Sequence, residues 1–513
     1  MSSEFTNQTG YISQMPVCEK NISIEVNSDF SLPDYQPEIR RLLSTRVSVL
    51  PPSEYVGNDS AEFSGEIRYR ILYIGSDGSL YSTTLSDNYG FSAPLEYSSK
   101  NTSPDEISII VSTTPETVIT RVLAPRKLNV RCKLHSDIEA LSPAVCSPRI
   151  NGTVSEESIQ NLIVSCPVRQ IKRMASEPIA LSDFITLESP TESARIVDCV
   201  SNVFMTESSA SQGKINCKGE AWLKILYCNE SESDQPIILT RKVPFSCTLD
   251  DDAIDNSFEC RSRGFVNEEK FEIEENGINC EFFVTVWAEA QKNDMLSYVK
   301  DSYSTERRCE CSYQSITLPT ALKCMNGNLT QSETLKLSDV KVSPDAKIID
   351  VNGTASANEL LVESGKITLK GECSYQVLYF FDEEYGTQDI TLPFKYEIDS
   401  RSLTNTNDTK PSWSANVNVI SSRARCDDER LFLDSELALS LRMGSEKSID
   451  VLSESVFGEE ITKPKSEIVI CYPEKSDSLW SIAKHYTEKT EKIRLQNAIS
   501  EADQALKKKY LII

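Results

Sequence analysis

The chain has 513 residues, 53 of them basic and 77 acidic, so its formal net charge is -24 at pH 7. This length allows three or four domains that each bury a core of their own. The negative charge opposes binding to phosphate backbones and anionic lipid, which makes nucleic acid and membrane surfaces poor partners. A solvated acidic surface that only maintains solubility is the alternative interpretation of the same charge.

Residues 1–17 are polar and aperiodic, and we predict a flexible N-terminal arm there. No apolar stretch follows a basic start in this segment, so we expect no secretory signal. No window approaches the run of about 18 apolar residues that a membrane-spanning helix needs. We therefore expect a cytosolic protein without a membrane span.

The 16 cysteines are expected to remain thiols in a cytosol, and several of them stand at apolar strand positions, as Cys132 does. No Cys-x-x-Cys motif occurs, the nearest pair is Cys309-x-Cys311, and only His135 and His485 could add imidazole ligands. This spacing does not suit a metal centre, so we predict no metal and no other cofactor.

One short segment is written three times along the chain. It opens with Gly-Glu, closes with Leu-Tyr, and carries larger apolar residues mostly at alternate positions in between, which predicts a half-buried β-strand. The copies are residues 65–73, 219–227 and 371–379. A basic residue followed by two apolar residues precedes each copy in register, beginning at Arg41, Arg195 and Lys347. A proline and an apolar residue follow each copy, at 94–95, 244–245 and 393–394.

The spacing of these copies matches the size of an independent domain. We predict three tandem β-rich domains over residues 18–150, 164–305 and 311–453, and a linker over 454–465. Each domain has a late strand with apolar residues at every second position, which predicts an antiparallel sheet or sandwich. The apolar residues of these late strands include Leu128, Val130, Cys132 and Leu134, then Ile278, Cys280, Phe282, Val284, Val286 and Ala288, then Leu431, Leu433, Leu437, Leu439 and Leu441. The strand order cannot be derived from these patterns.

Residues 466–513 differ in kind from the repeats and predict a small α+β module of strand, helix, helix and strand. Residues 468–472 alternate as a strand does, and Asp477 can cap a helix over residues 478–486. A second helix is predicted from Thr490, and a closing strand from Tyr510. The fold class is therefore mainly β, with this α+β module at the C-terminal end.

The C-terminal module resembles a LysM module, whose pattern has Gly-Asp-Thr-Leu-Trp-x-Ile-Ala near its start and an Asn-Asn-Leu turn after its second helix. The matching residues are Asp477, Leu479, Trp480, Ile482, Ala483 and Asn497. Ser476 stands where the family has glycine, Ser478 replaces threonine, and Ala498 follows Asn497. The resemblance implies a binding groove between the loop after the first strand, roughly residues 473–479, and the loop after the second helix, roughly residues 498–507. Trp480 either contacts a ligand there or packs inside the module. The candidate partner- or glycan-binding residues are Ser476, Asp477, Ser478, Leu479, Asn497, Ala498, Ile499 and Ser500.

Three repeats that carry Gly-Glu and Leu-Tyr, followed by such a module, resemble the SPOCS-LysM proteins of endospore-forming bacteria. The resemblance implies three SPOCS-like domains and a spore coat morphogenetic role in the mother cell, at the forespore surface. It also implies a partner, the coat-forming ATPase known as stage IV sporulation protein A, together with other coat proteins. Self-association through the repeats is a further option.

Three functional hypotheses follow. The first is a non-enzymatic adaptor whose several weak sites gain effective concentration from one chain. The second is a cell-wall or cortex protein that binds N-acetylglucosamine-containing glycan through the module. The third is a wall hydrolase, for which the sequence offers no nucleophile motif, no phosphate loop and no distinct acidic pair other than the repeated Glu66, Glu220 and Glu372. We predict a protein that is not an enzyme.

Overall fold

The computed structural model describes a mainly β protein, as the sequence predicts, in which one two-sheet unit occurs three times. The described ranges are 12–95, 107–145, 148–187, 194–229, 233–363, 366–399, 411–427, 429–462, 468–474, 477–499 and 509–513.

The first repeat contains seven strands. They are β1 (Ile12–Ser31), β2 (Ile39–Val49), β3 (Ser53–Val56), β4 (Ser60–Gly75), β5 (Leu80–Pro94), β6 (Ser108–Ala124) and β7 (Lys127–Val145). β4 is the middle strand of an antiparallel sheet between β2 and β5, and β3 pairs with its first residues. β7 is the middle strand of a second antiparallel sheet, between β1 and β6.

The second and third repeats have the same plan. After a short strand β8 (Arg149–Asn151) come β9 (Ile159–Ala175), β10 (Ile179–Thr186), β11 (Ala194–Ser211), β12 (Lys214–Asn229), β13 (Ser233–Asp250), β14 (Glu259–Glu274) and β15 (Gly277–Ser304). The third repeat has β16 (Arg307–Lys336), α1 (Leu337–Val340), β17 (Lys347–Glu363), β18 (Lys366–Phe381), β19 (Glu384–Asp399), β20 (Pro411–Asp427) and β21 (Arg430–Glu460). We call β2–β4–β5, β11–β12–β13 and β17–β18–β19 the meander sheets.

The recurrent segment is the middle strand of a meander sheet in every repeat, namely β4, β12 and β18. Successive side chains of a strand point to opposite faces, so its larger apolar residues line one face. In β4 this face carries Ile67, Tyr69, Ile71 and Tyr73, all fully buried. They pack against the apolar face of β7, and β15 and β21 occupy the same place in the other repeats. The predicted apolar faces of the late strands are confirmed.

The glycine that opens each recurrent segment lies under an aromatic ring of the neighbouring strand. Gly219 pairs with Phe245 and Gly371 with Phe394, and a Cβ atom on either glycine would lie 2.7 Å or less from the ring. Gly65 pairs with Tyr89, which lies over it in the same way. The residues 94–95, predicted to be the counterpart in the first repeat, are therefore not equivalent, because Pro94 pairs with Ser60.

The outer face of each meander sheet packs in part against the meander sheets of the other repeats. A β-bulge in β2, β11 and β17 lies opposite Leu72, Leu226 and Leu378, the leucines of the Leu-Tyr pairs. These leucines meet in one buried cluster that joins all three repeats. Its other buried members are Leu43, Ile74, Leu80, Val197, Cys228 and Tyr385. The three meander sheets thus share an apolar centre.

Polar contacts around this centre close the three repeats into a cycle. Ser82 Oγ donates to the carbonyl oxygen of Val197 at 2.7 Å, from the first repeat to the second. Lys224 Nζ donates to the carbonyl oxygen of Val351 at 3.0 Å, from the second to the third. Thr387 Oγ1 donates to the carbonyl oxygen of Leu43 at 3.2 Å, which returns to the first.

Each of these three seams also has ion pairs between repeats. At the first seam, Asp198 is paired with Arg46 and Arg70. At the second, Lys224 lies 2.8 Å from an Asp350 oxygen. At the third seam, Arg40 and Arg41 form ion pairs with Glu384. All three side chains are about half exposed, so these ion pairs contribute little to stability.

The first and last strands of the second and third repeats extend beyond their sandwiches. The second half of β15 pairs with β9, the first half of β16 pairs with the end of β21, and β8 adds a short parallel pairing to β21. We call this extension, formed by residues 159–175, 287–304, 307–320 and 445–460, the stalk. Its core includes Cys166, Val168, Leu296, Tyr298, Leu318, Ile449 and Val451.

Two predicted boundaries differ from the structure. β1 begins at Ile12 and pairs with β7, so residues 12–17 of the predicted arm form a strand, while residues 1–11 lie outside the described part. β21 continues to Glu460, so most of the predicted linker 454–465 is strand as well. Gly458-Glu459-Glu460 resembles a loop in sequence, but pairing with β16 holds this stretch extended, and Phe457 within it is buried.

Candidate functional site

The C-terminal module has the predicted order of elements. It contains β22 (Ile470–Cys471), α2 (Leu479–His485), α3 (Thr490–Gln496) and β23 (Leu511–Ile512), and β22 pairs with β23. A compact core forms because the helices place apolar residues at spacings of three and four. The buried residues of this core are Cys471, Leu479, Ile482, Ala483, Ile493, Ile499 and Leu511, joined by Tyr303 from the stalk.

Helix α2 begins one residue later than predicted, and Ser478 caps it. Ser478 Oγ accepts a hydrogen bond from the backbone N–H of Ser481 at 3.0 Å, and Ser481 Oγ accepts one from the backbone N–H of Ser478 at 2.8 Å. This reciprocal arrangement is a capping box. Asp477 instead closes the preceding turn, since its Oδ2 accepts a hydrogen bond from the N–H of Glu474 at 2.8 Å.

Asn497 holds the end of α3 against the last strand. Its Nδ2 donates to the carbonyl oxygens of Ile493 at 2.8 Å and Ile512 at 2.6 Å. Its Oδ1 accepts from the N–H of Ile512 at 2.7 Å. A buried side chain whose donors and acceptor are used internally supports the fold of the module.

The candidate binding residues therefore separate into three groups. Leu479, Asn497 and Ile499 are buried in the module. Ser478 and Ala498 are exposed, one on each predicted loop, and Asp477 is half-buried beside Ser478. Ser476 and Ser500 lie outside the described residues.

The backbone of Ala498 is in the left-handed region, with φ at 45°. Residues with a Cβ atom adopt this region at an energetic cost, and glycine and asparagine tolerate it best. Asn497 fixes the backbone on one side of it, and buried Ile499 fixes the other. The turn that presents Ala498 to solvent is thereby held in one shape.

The module is docked on the end of the stalk through Trp480. Trp480 Nε1 donates to Asp301 Oδ2 at 2.8 Å, and its ring packs edge-on against Tyr303 with 4.9 Å between centroids. Lys484 Nζ lies 2.6 Å from Asp301 Oδ1. Tyr303 Oη donates to the carbonyl oxygen of Glu488 at 2.7 Å. Trp480 thus packs between the module and the stalk, whereas the sequence predicts either contact with a ligand or packing inside the module.

The charge of Asp301 is stabilised at this junction. Burial disfavours ionisation, but hydrogen bonds from Lys484, Trp480 and Tyr313 outweigh it and hold the pKa of Asp301 below its ordinary value. Sequence reasoning missed Asp301 and Tyr303, because 179 residues separate Asp301 from Trp480 and no local pattern marks the end of β15 as a docking surface.

A cavity of about 1420 Å³ lies between the meander sheets rather than at the module. Its charged lining residues include Arg46, Arg70, Lys224, Glu269 and Asp350. Most of these charges are paired across the seams, as Arg70 is with Glu269 at 2.8 Å. The polar lining therefore joins the repeats.

Within the described ranges, no group of three or more His, Cys, Asp or Glu side chains is placed to hold a metal ion. Across the same part of the chain, no helix has the length and apolar character needed to cross a membrane.

No curated protein matches the chain. Residues 194–274 match the family model described as SipL, SPOCS domain. This range runs from the start of β11 to the end of β14, which is the meander sheet of the second repeat together with the strand that follows it. The second repeat of the chain is thus similar to the SPOCS domain of SipL.

Proposed function

We propose that the protein is a non-enzymatic adaptor in spore coat assembly. It acts in the mother-cell cytoplasm at the forespore surface, where its C-terminal module captures the coat ATPase, stage IV sporulation protein A. The repeats contact other coat proteins or further copies of the chain. The observation that carries this proposal is the match of residues 194–274 to the SPOCS domain.

The arrangement of the module supports a capture role. Docking through Asp301 and Tyr303 orders the module on the stalk, which lowers the entropy cost of binding a partner. Ser478 and Ala498 remain exposed on the two predicted loops. A partner that contacts both loops would meet a surface that this docking has already ordered.

The repeats support a scaffold role. The meander sheets use their outer faces to contact one another, and the resulting body is held by the buried leucine cluster around Leu226. A body of this kind offers outer surfaces of three related sandwiches at fixed distances. Several weak contacts on one chain raise the effective concentration of every partner.

The experiment is capture of the purified coat ATPase by the full chain, compared with two variants. Ala498→Arg adds a bulky charge to the exposed loop, and Ala253→Arg adds the same residue to an exposed turn of the second repeat. We expect Ala498→Arg to weaken capture about tenfold or more, equivalent to ~1.4 kcal/mol, and Ala253→Arg to leave it unchanged. Both variants are checked for unchanged circular dichroism.

Capture of the ATPase by Ala498→Arg at the level of the unaltered chain would refute the assignment of the loops. N-acetylglucosamine oligomers and peptidoglycan are tested in parallel with the same proteins. Binding to glycan without capture of the ATPase would favour the alternative function, a glycan-binding protein of the wall or cortex.

A further inference from the structure

Cys309 and Cys311 lie near the start of β16, two positions apart on the same face of the strand and close to the C-terminal module. The Sγ atoms of Cys309 and Cys311 are 3.7 Å apart, and both side chains are half-buried. In its thiol form Cys311 donates to the carbonyl oxygen of Ser302 at 3.2 Å. The pair therefore reaches solvent while its two sulfur atoms remain in contact.

The strand around this pair is irregular in its pairing. The pairing of β16 with β21 shifts register between Arg307 and Cys309, and again between Ser312 and Tyr313. Two residues of a regular strand span about 6.6–6.8 Å, which is the upper limit of the Cα separation in disulfides. A small contraction between the two register shifts is enough to bring Cys309 and Cys311 within bonding range.

The C-terminal module contributes to the chemistry of this pair. The hydrogen bond between the two thiols and the positive charge of Lys484 lower the pKa of Cys311, against the effect of burial. Lys484 belongs to α2 and reaches the stalk through its contact with Asp301. Tyr313, two residues beyond Cys311, donates to the same carboxylate at 2.8 Å. The dithiol and the docking contacts are therefore neighbours.

We propose that Cys309 and Cys311 form an oxidation site at which hydroperoxides convert the dithiol into a reversible intrastrand disulfide. This site is independent of partner capture by the loops. The structure places it where its state affects the junction between module and stalk.

The reaction proceeds in two balanced steps. The Cys311 thiolate attacks one oxygen of hydrogen peroxide, the O–O bond breaks, and hydroxide leaves and is protonated to water. The resulting sulfenic acid is then attacked by the Cys309 sulfur, the S–O bond breaks, and a second water leaves with the Cys309 proton. The dithiol loses two electrons and two protons, and the peroxide is reduced to two waters.

Reactivity should depend on the docked module, because Lys484 favours the Cys311 thiolate. Where the thiol pKa lies above the working pH, each unit by which it falls raises the thiolate fraction by up to about tenfold. Conversely, the neutral disulfide no longer attracts Lys484, and contraction of the strand moves Tyr313 relative to Asp301. Oxidation therefore loosens the contact between module and stalk.

The chain contains an internal comparison. Cys217 and Cys247 are directly opposite each other on β12 and β13, but Cys217 is almost fully buried in the core of the second repeat. Cys247 is half-buried, and its hydrogen bond with Cys217 lowers its pKa, but the causes of this shift include no cation such as Lys484 provides for Cys311. Burial of Cys217 disfavours its thiolate and excludes the oxidant from that sulfur. We expect this cross-strand pair to remain reduced under conditions that oxidise Cys309 and Cys311.

The test treats the folded full chain with hydrogen peroxide, blocks free thiols under denaturing conditions and analyses tryptic peptides by mass spectrometry. Residues 309–323 form one tryptic peptide whose only cysteines are Cys309 and Cys311. We expect this peptide to lose two hydrogens, to resist alkylation and to recover after treatment with dithiothreitol. Cys309→Ser should trap the sulfenic acid on Cys311, detected with dimedone, and Cys426→Ser, at a half-buried lone cysteine, should change nothing.

Two further variants test the link to the module. Lys484→Met should slow oxidation of Cys311 several-fold, whereas Lys492→Met, a lysine of the same module that pairs with Glu488, should not. The proposal is overturned if the peptide stays reduced while Cys217 and Cys247 become linked. Failure of dimedone to label Cys311 in Cys309→Ser, or equal oxidation rates in the two lysine variants, would overturn it as well.

Discussion

Replacing Asp301 by Asn preserves the size of the side chain and removes its charge, so it tests how the module is held on the stalk. Asp301 accepts hydrogen bonds from Trp480 at 2.8 Å and from Lys484 at 2.6 Å, and its side chain is 18% exposed. A hydrogen bond to a charged group contributes about 1.5–3 kcal/mol. Because an Asn oxygen can retain part of the Trp480 contact, we expect docking to weaken by about 2–3 kcal/mol, or ~30–150-fold.

The assay is acrylamide quenching of Trp480 fluorescence during a urea titration, in a background where Trp222, Trp287 and Trp413 are replaced by Phe. Asp301→Asn should expose Trp480 at lower urea than the parent does, before the repeats unfold. Asp294→Asn is the matched control, since Asp294 is exposed on the same strand. Within the described part of the chain its carboxylate accepts only from the neighbouring backbone N–H of Met295. Equal quenching curves for Asp301→Asn and the parent would show that the carboxylate does not hold the module.

The same junction predicts a pH dependence. The pKa of Asp301 is lower in the docked state than in the unfolded chain, where a carboxyl of this type titrates near ~3.9. Its contribution is therefore complete above that value and is lost as the pH falls through the lower, docked-state pKa. We expect Trp480 quenching to be constant from neutral pH down to about pH 5 and to rise in more acidic solution.

Three further predictions concern the seams and the cap. Leu226→Ala should lower the free energy of unfolding by about 2–5 kcal/mol in urea titrations, because Leu226 is buried where the three repeats meet. An unchanged urea midpoint would mean that the leucine cluster does not stabilise the fold. Lys224→Met leaves the buried Asp350 carboxylate without its cation and should lower the free energy of unfolding by about 2–4 kcal/mol. The control, Lys218→Met at an exposed ion pair on the same strand, should lower it by less than about 1 kcal/mol. Equal losses of stability in the two variants would contradict this account. Ser478→Ala removes the α2 cap and should destabilise the module by about 1 kcal/mol. The measurement is hydrogen exchange of the first α2 amides, which should become faster. Unchanged exchange would argue against the capping box.

The sequence predicted burial of one face of each recurrent strand but not the contacts of the other face. Alternation in residues 65–73 predicts a buried face, and Ile67, Tyr69 and Ile71 form it. Leu72 and Arg70 on the outer face look like ordinary surface residues, because their partners belong to other repeats. Contacts such as Arg70 with Asp198 join residues 128 positions apart, and no local pattern encodes them.

The candidate site shows the same division. Residue patterns predicted the order of elements in the module and the loops that expose Ser478 and Ala498. They did not distinguish residues that a family pattern retains for folding from residues available for contact. Asn497 belongs to the first kind, because two of its hydrogen bonds described above join it to Ile512 of β23 and the third joins it to Ile493 of α3.

The cyclic contact of the meander sheets fixes the number of repeats at three. In a solenoid each unit touches only its neighbours, so units can be added or removed at the ends. Here the third repeat also contacts the first. Deleting any one repeat would remove a contact partner of both remaining repeats and expose their buried leucines, among Leu72, Leu226 and Leu378, to water. Fragments that lack a single repeat are therefore poor tools for mapping partner surfaces, and point substitutions on the intact chain are the sound route.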